Sequence, residues 1–307
     1  MLETLKGRIY PSDPAGVYRL AADCAKIGVI GTLIALVFQQ IVTNGLRDDG
    51  GCSFREIQDF NHTCLDAIFE SRRSHMWSSQ FSNILFILFG LMTCIPFFTM
   101  EDMYADHSGA GFMRMCLICG LVLECMKSAF TSGLRSAAGQ TSMIFQPNHE
   151  KRINPYVGMQ MAFLILDSCF TWVTFLRDTI LAVGIYIACV YDADNGCIGG
   201  TWRTVGYSAA AVGVITTVCE FLKVINYKTF DDLSNWTYVV FFILYNAWIY
   251  YFGMHCAQLG DAEEKGMLES DASASEMSEG EIVVSKPEIK SKKSHHKHRQ
   301  AESDDDV

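Results

Sequence analysis

Long apolar blocks alternate with short charged segments over residues 14–259, and this alternation limits the possible folds more than any other feature of the sequence. Several blocks approach or exceed the roughly 20 apolar residues that a helix needs to cross about 30 Å of hydrocarbon. Because backbone polar groups find no water in lipid, each block is expected to be helical. The sequence therefore predicts an all-α fold, a polytopic transmembrane helical bundle.

Six spans are predicted. Asp13 and Pro14 suit the start of the first helix, as an N-cap carboxylate and a proline at the first helical position. The fourth block is long for one crossing, and Arg177 and Asp178 interrupt it. It could form one helix that projects beyond the bilayer or two short segments; the interruption contains neither Gly nor Pro, which favours one helix. The predicted spans cover residues 27–42, 77–100, 112–132, 158–191, 205–225 and 236–259.

These spans divide the chain into three regions. Residues 1–25 are predicted to form a cytosolic N-terminal segment and the interfacial start of a helix, and residues 26–259 the six-span transmembrane domain. Residues 260–307 are rich in charge and serine and have few large apolar side chains, so they are predicted to form a disordered cytosolic tail.

The segment 45–76, predicted to be a charged loop, carries two signals of an extracytosolic compartment. Cys52 and Cys64 are candidates for a disulfide, and Asn61 begins a glycosylation sequon with His62 and Thr63. Six spans would then place both termini in the cytosol, which makes the chain an integral protein of a eukaryotic endomembrane or cell-cortex membrane system.

The distribution of basic residues favours the opposite orientation. The segment 45–76 and the predicted polar loop 133–156, which contains Pro147 and Pro155, are rich in Lys and Arg, whereas the acidic link 101–111 has neither. Such a bias normally marks the basic loops as cytosolic. The tail has the composition of a segment open to kinases and cytosolic partners, and on that ground we assign both termini to the cytosol.

Ionisable residues inside spans are costly and suggest a function by default. Glu124 and Lys127 are three residues apart and can pair along one helical face, and Glu220 and Lys223 repeat that spacing in the fifth span. One interpretation is a polar pathway between the third and fifth spans, built on a weak repeat of the kind seen in transporters. The other places each pair near a membrane end, where Lys reaches the headgroups and Glu neutralises it; this is the favoured interpretation.

The fourth span carries Asp167, Arg177 and Asp178, which suit either a conduction path or, preferably, an interhelical polar clamp. The last span is rich in aromatic residues of the kind that form interface belts. These are Trp236, Tyr238, Trp248, Tyr250 and Tyr251.

Nothing in the sequence forms a complete catalytic or metal-binding set. The histidines are scattered over loops and span ends, and no spaced pair lies on a span. Cys116 and Cys119 form a lone CxxC inside a span, where packing is the favoured role. We therefore expect no catalytic residues, no metal, no cofactor and no enzymatic activity. The net charge of −10 also argues against a nucleic-acid partner.

The tail suggests partners instead. Ser273, Ser278 and Ser303 each precede an acidic residue by three positions, as acid-directed kinases prefer. The basic run that ends at Arg299 could contact anionic headgroups or an acidic protein surface such as a tubulin lattice. Faces of small residues in the spans suit a compact bundle and homo- or hetero-oligomers within the lipid bilayer.

In layout, residues 14–259 resemble the glideosome-associated proteins with multiple membrane spans, found in the inner membrane complex of apicomplexan parasites. The shared features are modest size, six spans, short loops, Cys-rich helices, cytosolic termini and no enzymatic motif. The resemblance implies a structural scaffold that ties membrane sacs to a cytoskeleton through its termini, a role that the basic run Lys290 to Arg299 would suit. The alternatives are an ion channel or small-solute transporter, and a seven-span receptor if residues 158–191 cross twice.

Overall fold

The computed structural model describes residues 13–44, 62–74, 76–145, 149–225 and 227–277. These residues form eight α-helices and contain no strand, which confirms the predicted all-α fold. The contacts described below lie within one compact unit, residues 1–264. The helices are α1 Pro14–Asn44, α2 His62–Ser74, α3 Met76–Met92, α4 Cys94–Met103, α5 Ala110–Phe145, α6 His149–Asn195, α7 Gly200–Ile225 and α8 Tyr227–Met277.

Six helical stretches are long and apolar enough to cross a membrane, as predicted. Their outward faces carry large apolar side chains such as Ile34, Leu88 and Phe130, each more than half exposed, as a lipid-facing surface requires. The block with the interruption forms one candidate span within the single helix α6. The six stretches are Pro14–Phe38, Met76–Met103, Ala110–Leu134, Ser168–Asn195, Gly200–Lys223 and Leu233–Lys265.

The start of α1 follows the predicted capping pattern. The Asp13 carboxylate accepts a hydrogen bond from the backbone N–H of Gly16 at 3.0 Å. This bond satisfies one of the N–H groups that a helix start leaves without an intrahelical partner. The short side chain of Asp13 and the fixed φ of Pro14 therefore place the beginning of the first span.

The second span is kinked, which the sequence analysis did not predict. It consists of α3 and α4, with Thr93 between them. Pro96 lies at the third position of α4, has no N–H to donate to the Met92 carbonyl, and its ring would clash with that carbonyl. The Thr93 hydroxyl donates to the Gly90 carbonyl at 2.7 Å, which satisfies one of the carbonyls at the break.

Both segments predicted to be loops contain helix, so those predictions are wrong in part. Within 45–76, helix α2 forms because Leu65, Ile68 and Phe69 recur at helical spacing and bury one face. Within 133–156, α5 continues to Phe145 and α6 already begins at His149. These ends of α5 and α6 are supported by packing against α2, including a stack of Phe69 on Tyr156 with ring centroids 4.3 Å apart.

Helix α6 passes through Pro155, which was expected to break it. Proline there removes one backbone hydrogen bond and strains the preceding turn. Tyr156, the next residue, is buried against α2, and this packing compensates for the lost bond. Helix α8 likewise continues to Met277, beyond the boundary predicted at residue 259. The sequence after Asp261 contains several Glu, Ala and Met residues, which favour helix.

Two ends of the bundle can be distinguished. We call the end at which α1 begins the Pro14 face, and the opposite end, which carries α2, the Cys64 face. Helices α1 and α8 pack antiparallel: Arg19 pairs with Asp261 and Glu264 near the Pro14 face. Deeper in the bundle, Trp202 of α7 stacks on Trp248 of α8, with ring centroids 5.1 Å apart.

Candidate functional site

A cluster of charged side chains lies near the middle of the bundle. Glu124 of α5 is about ten residues, or roughly 15 Å, from the end of its span at Leu134. Arg177 of α6 lies at a similar distance from the start of its own span. Both side chains therefore lie well inside the lengths of their candidate spans.

Arg177 is the centre of this cluster. Arg177 is only 1% exposed. Its guanidinium donates from Nη1 to the Glu124 carboxylate, which joins α6 to α5. Its Nε also donates to Oδ1 of the neighbouring Asp178 at 2.7 Å. Asp178 is fully buried, and its Oδ2 has no hydrogen-bond partner among the described residues. One cation therefore neutralises carboxylates on two helices.

Tyr238 of α8 closes the cluster from a third helix. Its ring lies under the guanidinium of Arg177, with 4.6 Å between Cζ and the ring centroid. The Tyr238 hydroxyl points to Oε1 of Glu124 at 3.4 Å. Nζ of Lys127 lies 5.7 Å from the same ring centroid. A cation over an aromatic face is attracted most strongly where water is excluded, so Tyr238 stabilises the charge of Arg177.

The second predicted pair lies nearer the Cys64 face. Glu220 of α7 is buried, and its carboxylate accepts a hydrogen bond from the hydroxyl of Ser234 on α8. Lys223, in the last turn of α7, is half-buried. A cation in that position interacts favourably with the carbonyl end of its helix.

The structure extends the predicted arrangement of Glu124. The sequence analysis paired Glu124 with Lys127, and the structure adds a direct contact of the carboxylate with Arg177 of α6. The contact of Arg177 across helices matches the clamp geometry expected for the fourth span. Asp167 lies in α6, and its side chain is outside the described part of the structure.

A second polar contact ties α1 to α8. The hydroxyl of Thr32 lies 2.7 Å from Oδ1 of Asn246, and both residues are buried. Nδ2 of Asn246 donates to the Phe242 carbonyl at 2.8 Å. In lipid such hydrogen bonds between helices contribute about 0.6 kcal/mol each on average.

A small cavity of about 20 Å³ lies between the Thr32 contact and the charge cluster. Tyr245, one of its lining residues, is buried, and its hydroxyl makes no hydrogen bond of good geometry to a described residue. The polar residues that line the cavity come from three helices, α1, α5 and α8, and from the break at Thr93: Thr32, Thr93, Glu124, Ser128, Tyr245 and Asn246.

At the Pro14 face, a buried carboxylate organises the link between α6 and α7. Asp192 accepts hydrogen bonds from the N–H groups of Ile198 and Gly199, at 2.8 and 3.3 Å. Gly196, with φ of 66°, allows the turn. The Tyr104 hydroxyl donates to Asp192 Oδ1 at 3.2 Å. Burial, and then the Asp192 carboxylate, raise the pKa of Tyr104 above its ordinary value.

The remaining predicted sites fall mostly outside the described residues. Cys64 is disulfide-bonded, whereas Cys52, its predicted partner, lies outside them. Asn61, Ser278 and Ser303 also lie outside, and Ser273 lies in α8 without a described side chain. Glycosylation and phosphorylation at these positions remain predictions. In the part of the chain that the structure describes, no group of three or more His, Cys, Asp or Glu side chains could hold a metal ion.

Sequence reasoning missed the aromatic and neutral polar members of the site. Tyr238 and Trp248 were assigned to interface belts, yet Tyr238 contacts Arg177 and Trp248 is fully buried. The available signal was Asn246, an amide in the middle of an apolar span.

No protein-family model, curated protein or solved structure matches this chain. Its function is therefore argued from the geometry of the bundle.

Proposed function

We propose that this multi-pass membrane protein is a structural scaffold, which organises its membrane and anchors cytosolic or cytoskeletal partners through its termini. The observation that carries the proposal is the position of Arg177, buried between Glu124, Asp178 and Tyr238. A charge that is satisfied by side chains from three helices holds those helices in register. Such an arrangement suits a rigid bundle better than an open path for ions.

The two ends of the bundle also suit an anchoring role. At the Cys64 face, α5 and α6 continue beyond their apolar stretches and pack with α2 around Leu65, Phe69 and Tyr156. At the Pro14 face, Arg19 of α1 pairs with Asp261 and Glu264 of α8, which brings the ends of the first and last spans together. The two terminal segments therefore leave the membrane close to each other.

The disulfide at Cys64 supports the proposed orientation. Disulfides form and persist in oxidising compartments, so the Cys64 face is assigned to the lumenal or extracellular side. Both termini then lie in the cytosol. In sealed vesicles of a cortical endomembrane, whose cytosolic face points outward, added protease should digest a tag at the C-terminus, and Asn61→Gln should remove any shift caused by a glycosidase. Protection of the tag until the vesicles are opened would contradict this orientation.

The membrane system is proposed from the resemblance to the glideosome-associated multi-span proteins. A cell-cortex membrane held to a cytoskeleton needs a membrane protein with cytosolic termini and a partner-binding tail. The basic run Lys290 to Arg299 provides charge complementary to an acidic filament surface.

The anchoring role can be tested with the full chain in sealed vesicles that display the tail. We expect these vesicles to sediment with microtubules at low salt and less at high salt, because exposed charges are screened. The variant in which Lys290, Lys292, Lys293, Lys297 and Arg299 are all Gln should remain in the supernatant. A control with Lys265→Gln, which lies in α8, should sediment like the wild type. Equal sedimentation of all three proteins would contradict anchoring by the basic run.

A channel or small-solute transporter is the second candidate, and one observation favours it. The cavity beside the charge cluster is lined by the Glu124 carboxylate and by several hydroxyl and amide groups. Such groups within membrane spans mark ion or solute sites in many membrane proteins.

A flux assay separates the two functions. The scaffold predicts that vesicles containing the purified monodisperse protein pass small cations and anions no faster than empty vesicles. Flux that exceeds this background and disappears in the Glu124→Gln, Glu220→Gln variant would overturn the scaffold. A matched variant, Arg19→Gln, should leave any such flux unchanged, since Arg19 lies at the Pro14 face.

A further inference from the structure

The cavity beside the charge cluster has the size of one water molecule. Its volume is about 20 Å³, and a cavity of about 10–15 Å³ or more can hold a water if two to four polar groups face it. Its lining includes both hydrogen-bond donors and acceptors. It lies between the Thr32–Asn246 contact and the Glu124–Arg177 pair.

One lining group is only partly satisfied by the protein. Tyr245 is 5% exposed, and its hydroxyl interacts with the Thr93 hydroxyl but makes no hydrogen bond of good geometry to a described residue. A buried hydroxyl without a partner costs about 1–3 kcal/mol. Around it, the Thr93 hydroxyl proton is donated to the Gly90 carbonyl, so the oxygen of Thr93 remains free to accept. Asn246 uses one of its two amide protons on the Phe242 carbonyl.

The local charge favours a neutral occupant. Glu124 is the charged residue of the lining, and its carboxylate is already paired with Arg177. A cation placed in the cavity would add a positive charge close to Arg177, whose guanidinium already contacts the Glu124 carboxylate. A water molecule adds no charge and can both donate and accept.

We propose that this cavity is the site of one buried water molecule, which accepts from the Tyr245 hydroxyl and donates to the Glu124 carboxylate. The water joins the Thr32–Asn246 contact and the Arg177 cluster into one network, which extends over α1, α5, α6 and α8. Such buried waters are part of a structure and are costly to remove.

Two conservative variants, Tyr245→Phe and Gly90→Ala, test the proposal by whether they raise or lower the temperature of thermal unfolding in detergent. Tyr245→Phe removes only the hydroxyl; we expect it to lower the unfolding temperature by about 2–4 °C, because the water loses a partner. An unchanged or higher unfolding temperature would overturn the proposal, since removal of a hydroxyl without a partner relieves its desolvation cost. Tyr250→Phe, on the exposed side of the same helix, is the matched control.

Gly90→Ala tests the space directly. A Cβ at Gly90 would lie 3.5 Å from Leu121 and 3.9 Å from Cys125, both of which line the cavity, so it fits without a clash. If a water occupies the site, the methyl group displaces it and the unfolding temperature falls relative to Gly133→Ala, in which only the helix preference of alanine acts. A rise above Gly133→Ala would indicate a cavity that the methyl simply fills, and would overturn the proposal.

The third measurement distinguishes water from a cation and detects the water itself. Unfolding of the wild type should be the same in sodium, potassium and choline chloride at equal ionic strength. Stabilisation by sodium or potassium alone would assign the site to a cation instead. A high-resolution experimental structure should show a water within hydrogen-bond distance of the Tyr245 hydroxyl, and clear density without one would contradict the proposal.

Discussion

The guanidinium of Arg177 lies 4.6 Å above the ring centroid of Tyr238, although the two residues belong to different helices. This contact places a buried guanidinium between an aromatic face and two carboxylates. A fixed positive charge within a membrane span is tolerated only where other groups replace its hydration. The positions of α5, α6 and α8 are therefore coupled through one side chain.

Replacement of Arg177 by Met should be the most destabilising change in this cluster. It leaves Glu124 and Asp178 buried without their cation, and the loss of one partner of a buried ion pair costs about 3–5 kcal/mol. Glu124→Gln should cost less, because Arg177 then keeps Asp178. The double variant should recover part of the loss of Arg177→Met. Chemical denaturation in detergent measures all three.

Arg19→Gln provides the control for these variants. Arg19 also pairs with two acidic residues, but both partners and Arg19 itself are largely exposed. Exposed ion pairs contribute little to stability, so we expect almost no change. Equal effects of Arg19→Gln and Arg177→Met would contradict the assignment of Arg177 as the structural centre.

Tyr238 should contribute through its ring more than through its hydroxyl. Tyr238→Phe keeps the aromatic face under Arg177 and loses only a long contact to Glu124, so its free energy of unfolding should stay near that of the wild type. Tyr238→Leu loses the cation–π contact and should cost about 1–2 kcal/mol. Thermal unfolding of the two variants, measured side by side, tests this order. A larger loss for Phe than for Leu would assign the stabilisation to the hydroxyl.

The sequence predicted the spans because their signal is local. Six apolar stretches and the start of α1 at Asp13 and Pro14 follow from length, hydropathy and capping preferences, which do not depend on distant residues. The continuity of α6 was predicted for the same reason. The absence of Gly and Pro near Arg177 and Asp178 left no local cause for a break.

The contacts between helices could not be predicted in the same way. Glu124 was matched with Lys127 because the two are close in sequence, but its partner Arg177 is supplied by another helix. Which faces of α5, α6 and α8 meet depends on packing, including close contacts at glycines. Helix α2 was missed although Leu65, Ile68 and Phe69 have helical spacing, because its charged residues dominated the composition of that segment.

The disulfide at Cys64 should hold α2 in place. Cys64 is buried beside Leu65, and the helix packs on α5 and α6 through Phe69 and Tyr156. Cys64→Ser should therefore speed hydrogen exchange of the amides in residues 62–74, because the unconstrained segment opens more often. Mass spectrometry of peptides from this region provides the measurement. Cys197→Ser, at an exposed free cysteine, is the control and should leave this exchange unchanged.

Because Tyr104 is buried, we expect the protein to lose stability in alkaline solution. Its pKa is raised above the ordinary value of about 10 by burial and by the Asp192 carboxylate, so the folded state holds the proton more tightly than the unfolded state. The resulting stability is complete below about pH 10 and is lost as the pH rises further. Between about pH 9 and pH 11 the unfolding temperature of the wild type should fall more steeply than that of Tyr104→Phe. Parallel slopes would contradict the buried contact with Asp192.

The close approach of α1 and α8 depends on Gly253. A Cβ at this position would lie 2.6 Å from Cβ of Ala25 and 3.4 Å from the backbone oxygen of Ala22, and neither atom can move without its helix. Small residues of this kind let helices pack tightly in lipid. Gly253→Ala should therefore push the two helices apart and lower the unfolding temperature, even though alanine favours helix by about 1 kcal/mol over glycine.

Gly133→Ala separates the two effects. Gly133 lies in α5, and a Cβ there would meet no atom within 4 Å, so only the helix preference of alanine acts. We expect this variant to be neutral or slightly more stable than the wild type. The Thr32–Asn246 contact between α1 and α8 should weaken in Gly253→Ala and persist in Gly133→Ala, which the coupling between Thr32→Ala and Asn246→Ala in a double-mutant cycle can measure. Equal coupling and equal stability in both variants would show that the packing of α1 on α8 does not require a glycine at position 253.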